Sequence, residues 1–299
     1  MAEKKVGKNY TSVRVKFPEF VLYLTAPFCV HSKCPKNSMS YKWWQILQYL
    51  QYLLSARTKY YIHSPFVYEL CEHVIYDKRH YYAFDDIELL RRRLLVNEKV
   101  IEVTDYGAGS AFMSSLRPIR EIAQLSGTPL KVGQLLFRLA VHLQAQYLLE
   151  FGTSLGLATL YLAKAGQAAQ VITIEGCKQT AAVAAQNFIQ LQVSNIEQVV
   201  STFEEALPLV LSKLPQLDLV FFDGNHRSDA TWHYFNLCLP KAHPHTVFVF
   251  DDIYWSPDMQ EVWERIKQHN AVQVTIDLFR VGLVFFRKEQ VKEHFKLYF

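Results

Sequence analysis

The sequence has few cysteines and no hydrophobic stretch long enough to cross a membrane. Its five cysteines are an odd number with no paired framework, a pattern typical of a reducing compartment, so we expect a cytoplasmic protein. Residues 20–30 are apolar and follow basic residues, as in a signal peptide. This run contains Pro27, lacks a clear small-residue cleavage site and is too short for a bilayer. We predict neither export nor a membrane span.

The chain also lacks a strong excess of one charge, except near its start. Half of its 299 residues are apolar and a fifth are charged, which indicates a globular protein with room for one large or two modest domains. Residues 1–60 hold ten basic and two acidic side chains. These basic residues are scattered and not clustered, so we interpret them as a solvated arm, and nucleic acid is disfavoured as a partner.

A glycine turn lies between an apolar strand and a helix. Residues 147–151 are mostly apolar, the chain turns at Gly152, and helical spacing of apolar residues resumes at Leu155. The glycines follow the pattern Gly-x-x-x-Gly, not the Gly-x-Gly-x-x-Gly of dinucleotide binders, and no Gly-Lys-Ser/Thr follows. A dinucleotide or a nucleoside triphosphate is therefore disfavoured.

A second strand ends in an acid. Residues 171–175 are rich in β-branched side chains and end at Glu175, about 20 residues after the turn, where an acid can accept hydrogen bonds from ribose hydroxyls. Gly152 allows close approach of a ligand to the backbone, and the start of the next helix presents unpaired N–H groups. Together these features predict a nucleotide-like ligand. An ordinary strand–helix connection is the alternative.

Residues 150–156, Glu-Phe-Gly-Thr-Ser-Leu-Gly, together with Glu175 resemble the class I S-adenosylmethionine-dependent methyltransferases. The resemblance covers residues 135–287 and implies S-adenosylmethionine as the cofactor. Phe203, after the third strand, matches the position that flanks the adenine, although a core residue at a helix start is an equal alternative. The implied cofactor-binding residues are Glu150, Gly152, Thr153, Ser154, Gly156, Glu175, Phe203 and Asp223.

Strands and helices alternate regularly after residue 145. Strands are expected at 147–151, 171–175, 196–200, 217–223, 245–251, 271–277 and 282–287, with helices between the first six. This alternation predicts an α/β fold with a mainly parallel sheet. The last connection is too short for a crossover helix, so the final strand should be antiparallel. The resemblance implies a Rossmann-like seven-stranded sheet with the order 3-2-1-4-5-7-6.

The chain is interpreted as four parts: a basic arm at 1–38, a mostly helical cap at 39–135, a cofactor domain at 136–288 and a tail at 289–299. Trp43, Leu47, Leu50 and Leu54 recur at helical spacing in the cap. We expect them to be core residues, with lining of a substrate pocket as the alternative. The helical region is also a candidate for homodimer formation. A second glycine loop at 105–110 is interpreted as a turn over the active site.

Three acids follow two neighbouring strands. Asp223 ends the fourth strand, and Asp251 and Asp252 end the fifth. Carboxylates brought together raise each other's pKa, and a cation resolves the conflict. Oxygen ligands suit a hard ion such as Mg²⁺. The alternative is that each acid caps the helix that follows it.

These acids resemble those of the catechol and caffeoyl-coenzyme A type of metal-dependent O-methyltransferases, and the motif Asp-Gly-x-His resembles that of certain sugar O-methyltransferases. The resemblance implies metal ligation by Asp223, Asp251 and Asp252, with Asp252 in place of the usual asparagine. His226 stands where the first group has a lysine base. An imidazole can accept an alcohol or phenol proton at neutral pH. Helix capping and metal ligation are alternative roles for His226.

The sequence thus predicts a methyltransferase that acts on an oxygen of a small hydroxylated acceptor with help from a divalent cation. His226 and Asp223 are the catalytic candidates, and Tyr254 and Trp255 are expected to form the acceptor wall. A nucleic-acid methyltransferase is one alternative, but the Asn/Asp-Pro-Pro-aromatic loop for base amines is missing after the fourth strand. A non-catalytic protein that binds the cofactor is the other.

Overall fold

The computed structural model describes residues 38–105 and 113–299. Nearly all of the predicted basic arm, and residues 106–110 of the predicted turn over the active site, lie outside the described residues. Residues 42–299 pack as one unit. Within the two described ranges, no helix is both long enough and apolar enough to span a membrane. The division into arm, cap, cofactor domain and tail stays a prediction.

The part that precedes the main sheet is mostly helical, as expected. Ser64 caps one of these helices by accepting a hydrogen bond from the backbone N–H of Val67 (3.4 Å), and Pro65 begins it. The elements are α1 (Ser38–Ser55), a 3₁₀ turn (Lys59–Tyr61), α2 (Pro65–Leu70) with a π-helical continuation (Cys71–Ile75), α3 (Tyr82–Leu95), the antiparallel hairpin β1 (Val100–Asp105) and β2 (Met113–Pro118), α4 (Ile119–Leu125) and α5 (Leu130–His142). The sequence pattern did not predict the hairpin.

Helix α1 has two apolar faces. The rings of Tyr49 and Tyr52 contact Phe279, with centroids 4.9 and 5.2 Å away. The opposite face is solvent-exposed: the exposed fractions are 61% for Trp43, 55% for Leu47, 50% for Leu50 and 89% for Leu54. The prediction that this second set is core was wrong, because the tyrosine face of the helix takes the buried position.

The rest of the chain forms one large sheet with helices between its strands. These elements are β3 (Tyr147–Phe151), α6 (Leu157–Lys164), β4 (Gln170–Glu175), α7 (Lys178–Gln190), β5 (Ile196–Val200), α8 (Phe203–Lys213), β6 (Leu217–Phe222), α9 (Ser228–Cys238), a 3₁₀ turn (Leu239–Lys241), β7 (Ala242–Phe250), α10 (Pro257–Gln268), β8 (Val274–Asp277), β9 (Gly282–Phe285) and β10 (Glu293–Lys296). Each predicted strand is present.

The order of the large sheet is β10-β8-β9-β7-β6-β3-β4-β5. Counting from β3 to β9, this is the predicted order 3-2-1-4-5-7-6, and β9 is antiparallel to both β7 and β8. The predicted fold class is confirmed. The correction concerns residues 293–296 of the expected tail, which form an eighth strand parallel to β8. Their sequence, Glu-His-Phe-Lys, is mostly polar because this strand lies at the edge of the sheet.

The core lies on both sides of the central strands. All six residues of β6 are buried. On one side, helix α5 places Leu135, Leu136 and Leu139 in the same apolar cluster as Leu148 of β3. At the carboxyl ends of β3, β6 and β7, the aromatic rings of Phe151, Phe222 and Phe250 stack on one another.

Candidate active site

Three central strands end at the same level. Phe151, Phe222 and Phe250 are register partners across β3, β6 and β7, and their rings stack with centroids 4.9 and 4.4 Å apart. The backbone N–H of Asp223 donates to the carbonyl of Phe151, and that of Asp251 donates to the carbonyl of Phe222, each at 3.0 Å. The residues that follow these three strands are therefore brought to one edge, as expected for parallel strands.

The glycine turn needs its glycines. Gly152 has φ +92° and Gly156 has φ +82°. A Cβ on Gly152 would lie 2.2 Å from the carbonyl oxygen of Asp223, and one on Gly156 would lie 2.5 Å from the ring of Phe188. Positive φ and the lack of space both exclude a side chain at these positions. Ser154 also has a positive φ (+48°), which is uncommon for a residue other than glycine and is often found at functional sites.

Glu175 closes this turn from the neighbouring strand. Its Oε2 accepts a hydrogen bond from the backbone N–H of Ser154 (2.8 Å), and its Oε1 accepts one from the backbone N–H of Cys177 (2.9 Å). A carboxylate can accept about four hydrogen bonds, and the side chain of Glu175 is half-buried, so it can also accept one from a ligand hydroxyl. The turn and Glu175 thus fit the predicted cofactor.

Two predicted cofactor residues lie beneath the turn instead. Glu150 has no exposed surface, and its Oε2 accepts from the hydroxyls of Thr159 (2.5 Å) and Thr173 (2.6 Å). Thr153 is 2% exposed and shares a 2.6 Å hydrogen bond with Thr173. Burial raises the pKa of Glu150 to about 7. Direct contact of these two side chains with the cofactor is therefore not supported; they hold the turn from below.

Phe203 lies beside the end of β6. A Cβ on Gly224 would be 2.6 Å from its ring, and the ring is edge-on to Phe151 (5.3 Å) and Tyr234 (5.6 Å). The ring is only partly buried. This position, next to Asp223, is compatible with an adenine neighbour, and that role stays a prediction.

The three predicted metal ligands are near each other, but an arginine lies among them. Nε and Nη2 of Arg280 donate to the two carboxylate oxygens of Asp251 at 2.9 and 2.8 Å, and Nη2 is 3.5 Å from Oδ1 of Asp252. Burial disfavours the charge of Arg280, but Asp251 and Asp252 outweigh it and hold the pKa of the guanidinium well above its usual value. A bidentate pair of this kind has a well-defined geometry.

Among the described residues, neither Asp223 nor Asp252 has a bidentate partner of this kind. Burial raises the pKa of Asp223 well above its usual value, and the neighbouring Asp251 and Asp252 raise it further. Burial also raises the pKa of Asp252, against the opposing effect of Arg280. Nε2 of His226 lies 4.0 Å from Oδ2 of Asp252. The structure therefore places the predicted base beside Asp252, one of the three neighbouring acids.

The arrangement does not fit the predicted metal site. Across residues 38–105 and 113–299, no group of three or more His, Cys, Asp or Glu side chains is placed to hold a metal ion. Both carboxylate oxygens of Asp251 accept hydrogen bonds from Arg280, and the positive charge of this guanidinium opposes a cation on the same carboxylate. Arg280 was not among the residues predicted from the sequence. Its signal was a single charged residue in an otherwise apolar stretch, residues 278–286.

Of the two residues expected to contact the acceptor, only Trp255 is accessible. Tyr254 is 6% exposed, its hydroxyl donates to Oδ2 of Asp277 (2.6 Å), and its ring stacks on Phe279 (5.3 Å). This buried position corrects the prediction that Tyr254 contacts the acceptor. Trp255 is 43% exposed, and its carbonyl accepts a hydrogen bond from Nε2 of Gln45 in α1 (2.9 Å), so it remains a candidate.

Comparison with known proteins agrees with this fold. Residues 149–253 match a family model described as a methyltransferase domain. No curated protein matches the chain. Among solved structures, the chain is similar to the O-methyltransferase TomG of Streptomyces achromogenes, involved in tomaymycin synthesis and solved with S-adenosylmethionine: the TM-score is 0.50 and the identity 20%, over 74% of this chain and 94% of that one.

A second solved structure is also similar. It is the Podospora anserina methyltransferase PaMTH1 with bound S-adenosylhomocysteine, at a TM-score of 0.53 and 13% identity, over 76% of this chain and 97% of that one. At these identities the likeness shows the fold. The family match shows that residues 149–253 are a methyltransferase domain, and the resemblance to the class I methyltransferases is confirmed.

Proposed function

We propose that this protein transfers a methyl group from S-adenosylmethionine to a hydroxyl oxygen of a small molecule in the cytoplasm. The observation that carries the proposal is the glycine turn closed by Glu175 beside a cluster of acids and His226, within a methyltransferase domain. The O-methyltransferase named among the similar structures supports oxygen as the acceptor atom. The three buried cysteines among the described residues, Cys71, Cys177 and Cys238, are unpaired, which favours a reducing compartment.

The cofactor, when bound, supplies an electrophilic methyl group. The chain then has two tasks, to hold the acceptor oxygen in line and to remove its proton. His226 is the proposed base, because it is half-buried at the edge of the sheet next to Asp252. Asp252 can stabilise the imidazolium that forms when His226 takes the proton. Neither task uses Glu150 or Tyr254, whose side chains are buried elsewhere.

A metal-assisted form of the reaction would require a change in the site. A cation on Asp251 would lie close to the guanidinium of Arg280, and the repulsion between the two positive charges would have to be relieved by a movement of Arg280. The observed pairing favours a form of the reaction without the metal.

We further propose that the protein forms a homodimer through α1. The exposed residues Trp43, Leu47, Leu50 and Leu54 follow a 4-3-4 spacing, which is that of a coiled-coil seam. The other face of α1 is already packed against Phe279, so the exposed face is available for a second copy of the helix. In a two-fold symmetric dimer the same surface of each subunit forms the interface, so the exposed apolar face of α1 can pack against its copy in a second chain.

The test of the main proposal has two stages. Isothermal titration calorimetry with S-adenosylmethionine and with nicotinamide nucleotides measures the cofactor preference of the purified protein. A screen of phenols, sugars and hydroxylated metabolites then measures methyl transfer from labelled cofactor. Binding of S-adenosylmethionine without transfer to any hydroxyl, but with transfer to an amine or to RNA, would contradict the oxygen acceptor and leave the cofactor assignment in place.

A further inference from the structure

We propose that the guanidinium of Arg280 takes the place, in this site, of the divalent cation that metal-dependent O-methyltransferases bind. The positive charge at this site is thus supplied by a side chain of the protein, and the site binds no divalent metal ion. The role of Arg280 in methyl transfer rests on the function proposed above. The exclusion of a metal ion by Arg280 does not, because metal binding can be measured without an acceptor.

The first support is the position of the guanidinium. It lies on Asp251 through two hydrogen bonds and is 3.5 Å from Asp252, so it occupies the side of these acids on which a shared cation would have to lie. A positive charge at this point repels a second cation. It also offsets the cost of bringing the two carboxylates together.

The second support is that Arg280 is held in place by its backbone. Its N–H donates to the carbonyl of Leu278 (2.9 Å), and its own carbonyl accepts from the backbone N–H of Ile253, in the loop after β7 (3.1 Å). The loop that carries Asp251 and Asp252 is thereby tied to the turn between β8 and β9. Moving the guanidinium aside by a backbone shift would break both hydrogen bonds.

The third support is strain in the same turn. Phe279, just before Arg280, has φ +67°, a conformation that is costly for a bulky residue. Its N–H donates to Oδ1 of Asp277 (2.8 Å), and its ring packs on Tyr254, Tyr49 and Tyr52. A turn held in a strained conformation by this many contacts is typical of a site where the position of one side chain matters.

The fourth support is the part of Arg280 that remains accessible. Its side chain is 31% exposed, whereas that of Asp251 has no exposed surface. A guanidinium has more N–H donors than the two that Asp251 uses. The guanidinium borders Asp252 (3.5 Å), which in turn lies 4.0 Å from His226, so we place the acceptor oxygen within reach of its remaining donors. In this role Arg280 is a positioning residue.

The experiment measures Mn²⁺ binding to the full chain by electron paramagnetic resonance, with S-adenosylmethionine binding as the test of an intact fold. Four proteins are compared: wild type, Arg280→Met, Arg280→Lys and Arg287→Met. Arg287 is the matched control, because it follows β9 and so lies beyond the opposite edge of the sheet. Lysine keeps the positive charge and methionine removes it. If Arg280→Met does not fold, Arg280→Gln replaces it, since its amide can donate to Asp251.

Wild type, Arg280→Lys and Arg287→Met should bind no stoichiometric Mn²⁺. Arg280→Met should bind one Mn²⁺ per chain, at least about tenfold more tightly than wild type, because a unit charge beside the carboxylates has been removed. Adding Asp252→Ala, which removes the ligand oxygens at this position, should abolish that binding. The proposal is overturned if wild type binds one Mn²⁺ that Asp252→Ala removes, or if a folded Arg280 variant without the charge gains none. Failure of wild type to bind S-adenosylmethionine would instead contradict the proposed function.

Discussion

Glu175 and Ser154 are joined by a 2.8 Å hydrogen bond from the backbone N–H of Ser154 to a carboxylate oxygen, which ties the glycine turn to the end of the next strand. One acid thus sets the shape of the turn and offers an acceptor to a ligand. Removal of its carboxylate removes both effects at once.

We predict that Glu175→Ala weakens binding of S-adenosylmethionine by about 10- to 100-fold, because hydrogen bonds to a charged group contribute about 1.5–3 kcal/mol. Calorimetric titration measures the affinity. The matched control is Glu197→Ala, which removes an acid from the neighbouring strand β5, where it pairs with Lys213 at the surface. Equal affinity of both variants and wild type would show that the turn is not the cofactor site.

The turn itself should not tolerate a methyl group. Gly152→Ala places a Cβ 2.2 Å from the carbonyl of Asp223 at φ +92°, so we predict destabilisation by about 1–3 kcal/mol or more and loss of cofactor binding. Gly166→Ala is the control, since its Cβ would meet only Ala169 at an ordinary 3.7 Å. Urea unfolding followed by circular dichroism compares the two. Similar stability of both variants would contradict the proposed close approach.

The sequence predicts those parts of the site that are marked by a pattern of neighbouring residues along the chain. The ends of β3, β6 and β7 were predicted because mostly apolar runs stop abruptly at Gly152, Asp223 and Asp251. The parallel sheet then brings these residues to one edge without further information. Local patterns of this kind carry the fold and most of the site.

The parts that were missed depend on contacts between distant segments. The pairing of β9 with β7, which places the turn of Arg280 beside Asp251, was predicted, but no local pattern shows that the Arg280 side chain faces the acids. Strand β3 is covered on both faces, so alternation cannot tell that Glu150 points inward to Thr159 and Thr173. Helix α1 is apolar on two sides, and periodicity alone does not say which side packs on Phe279.

The buried carboxyl of Glu150 should make stability depend on pH. Burial raises its pKa from 4.5 to about 7, so the folded state holds this proton more tightly than the unfolded state does. Its contribution is fully present below about pH 4.5 and is lost as the pH rises through 7, on the order of 3 kcal/mol in total. We predict that Glu150→Gln loses less stability than wild type between these pH values. Urea unfolding at several pH values measures this, and parallel curves would contradict the assignment.

The exposed face of α1 makes a prediction about assembly. Leu50→Glu should convert a dimer to a monomer, because it places a charge in the middle of the proposed apolar seam. Gln51→Glu is the matched control, since it adds the same charge at the next, exposed position of the same helix. Light scattering during size-exclusion chromatography gives the mass of each protein. A monomeric wild type would rule out the dimer.

The base role of His226 makes the prediction that depends most on the proposed chemistry. Once an acceptor is identified, His226→Ala should lower the turnover rate by about 10²–10⁴, because a positioned general base contributes that much. The loss should shrink as the pH rises, since the acceptor hydroxyl then ionises without help. His233→Ala is the control, because His233 is exposed on α9, outside the cluster of His226 and Asp252. If His226→Ala loses the same factor at every pH, the imidazole does not remove the proton, and its contact with Asp252 serves to shape the loop.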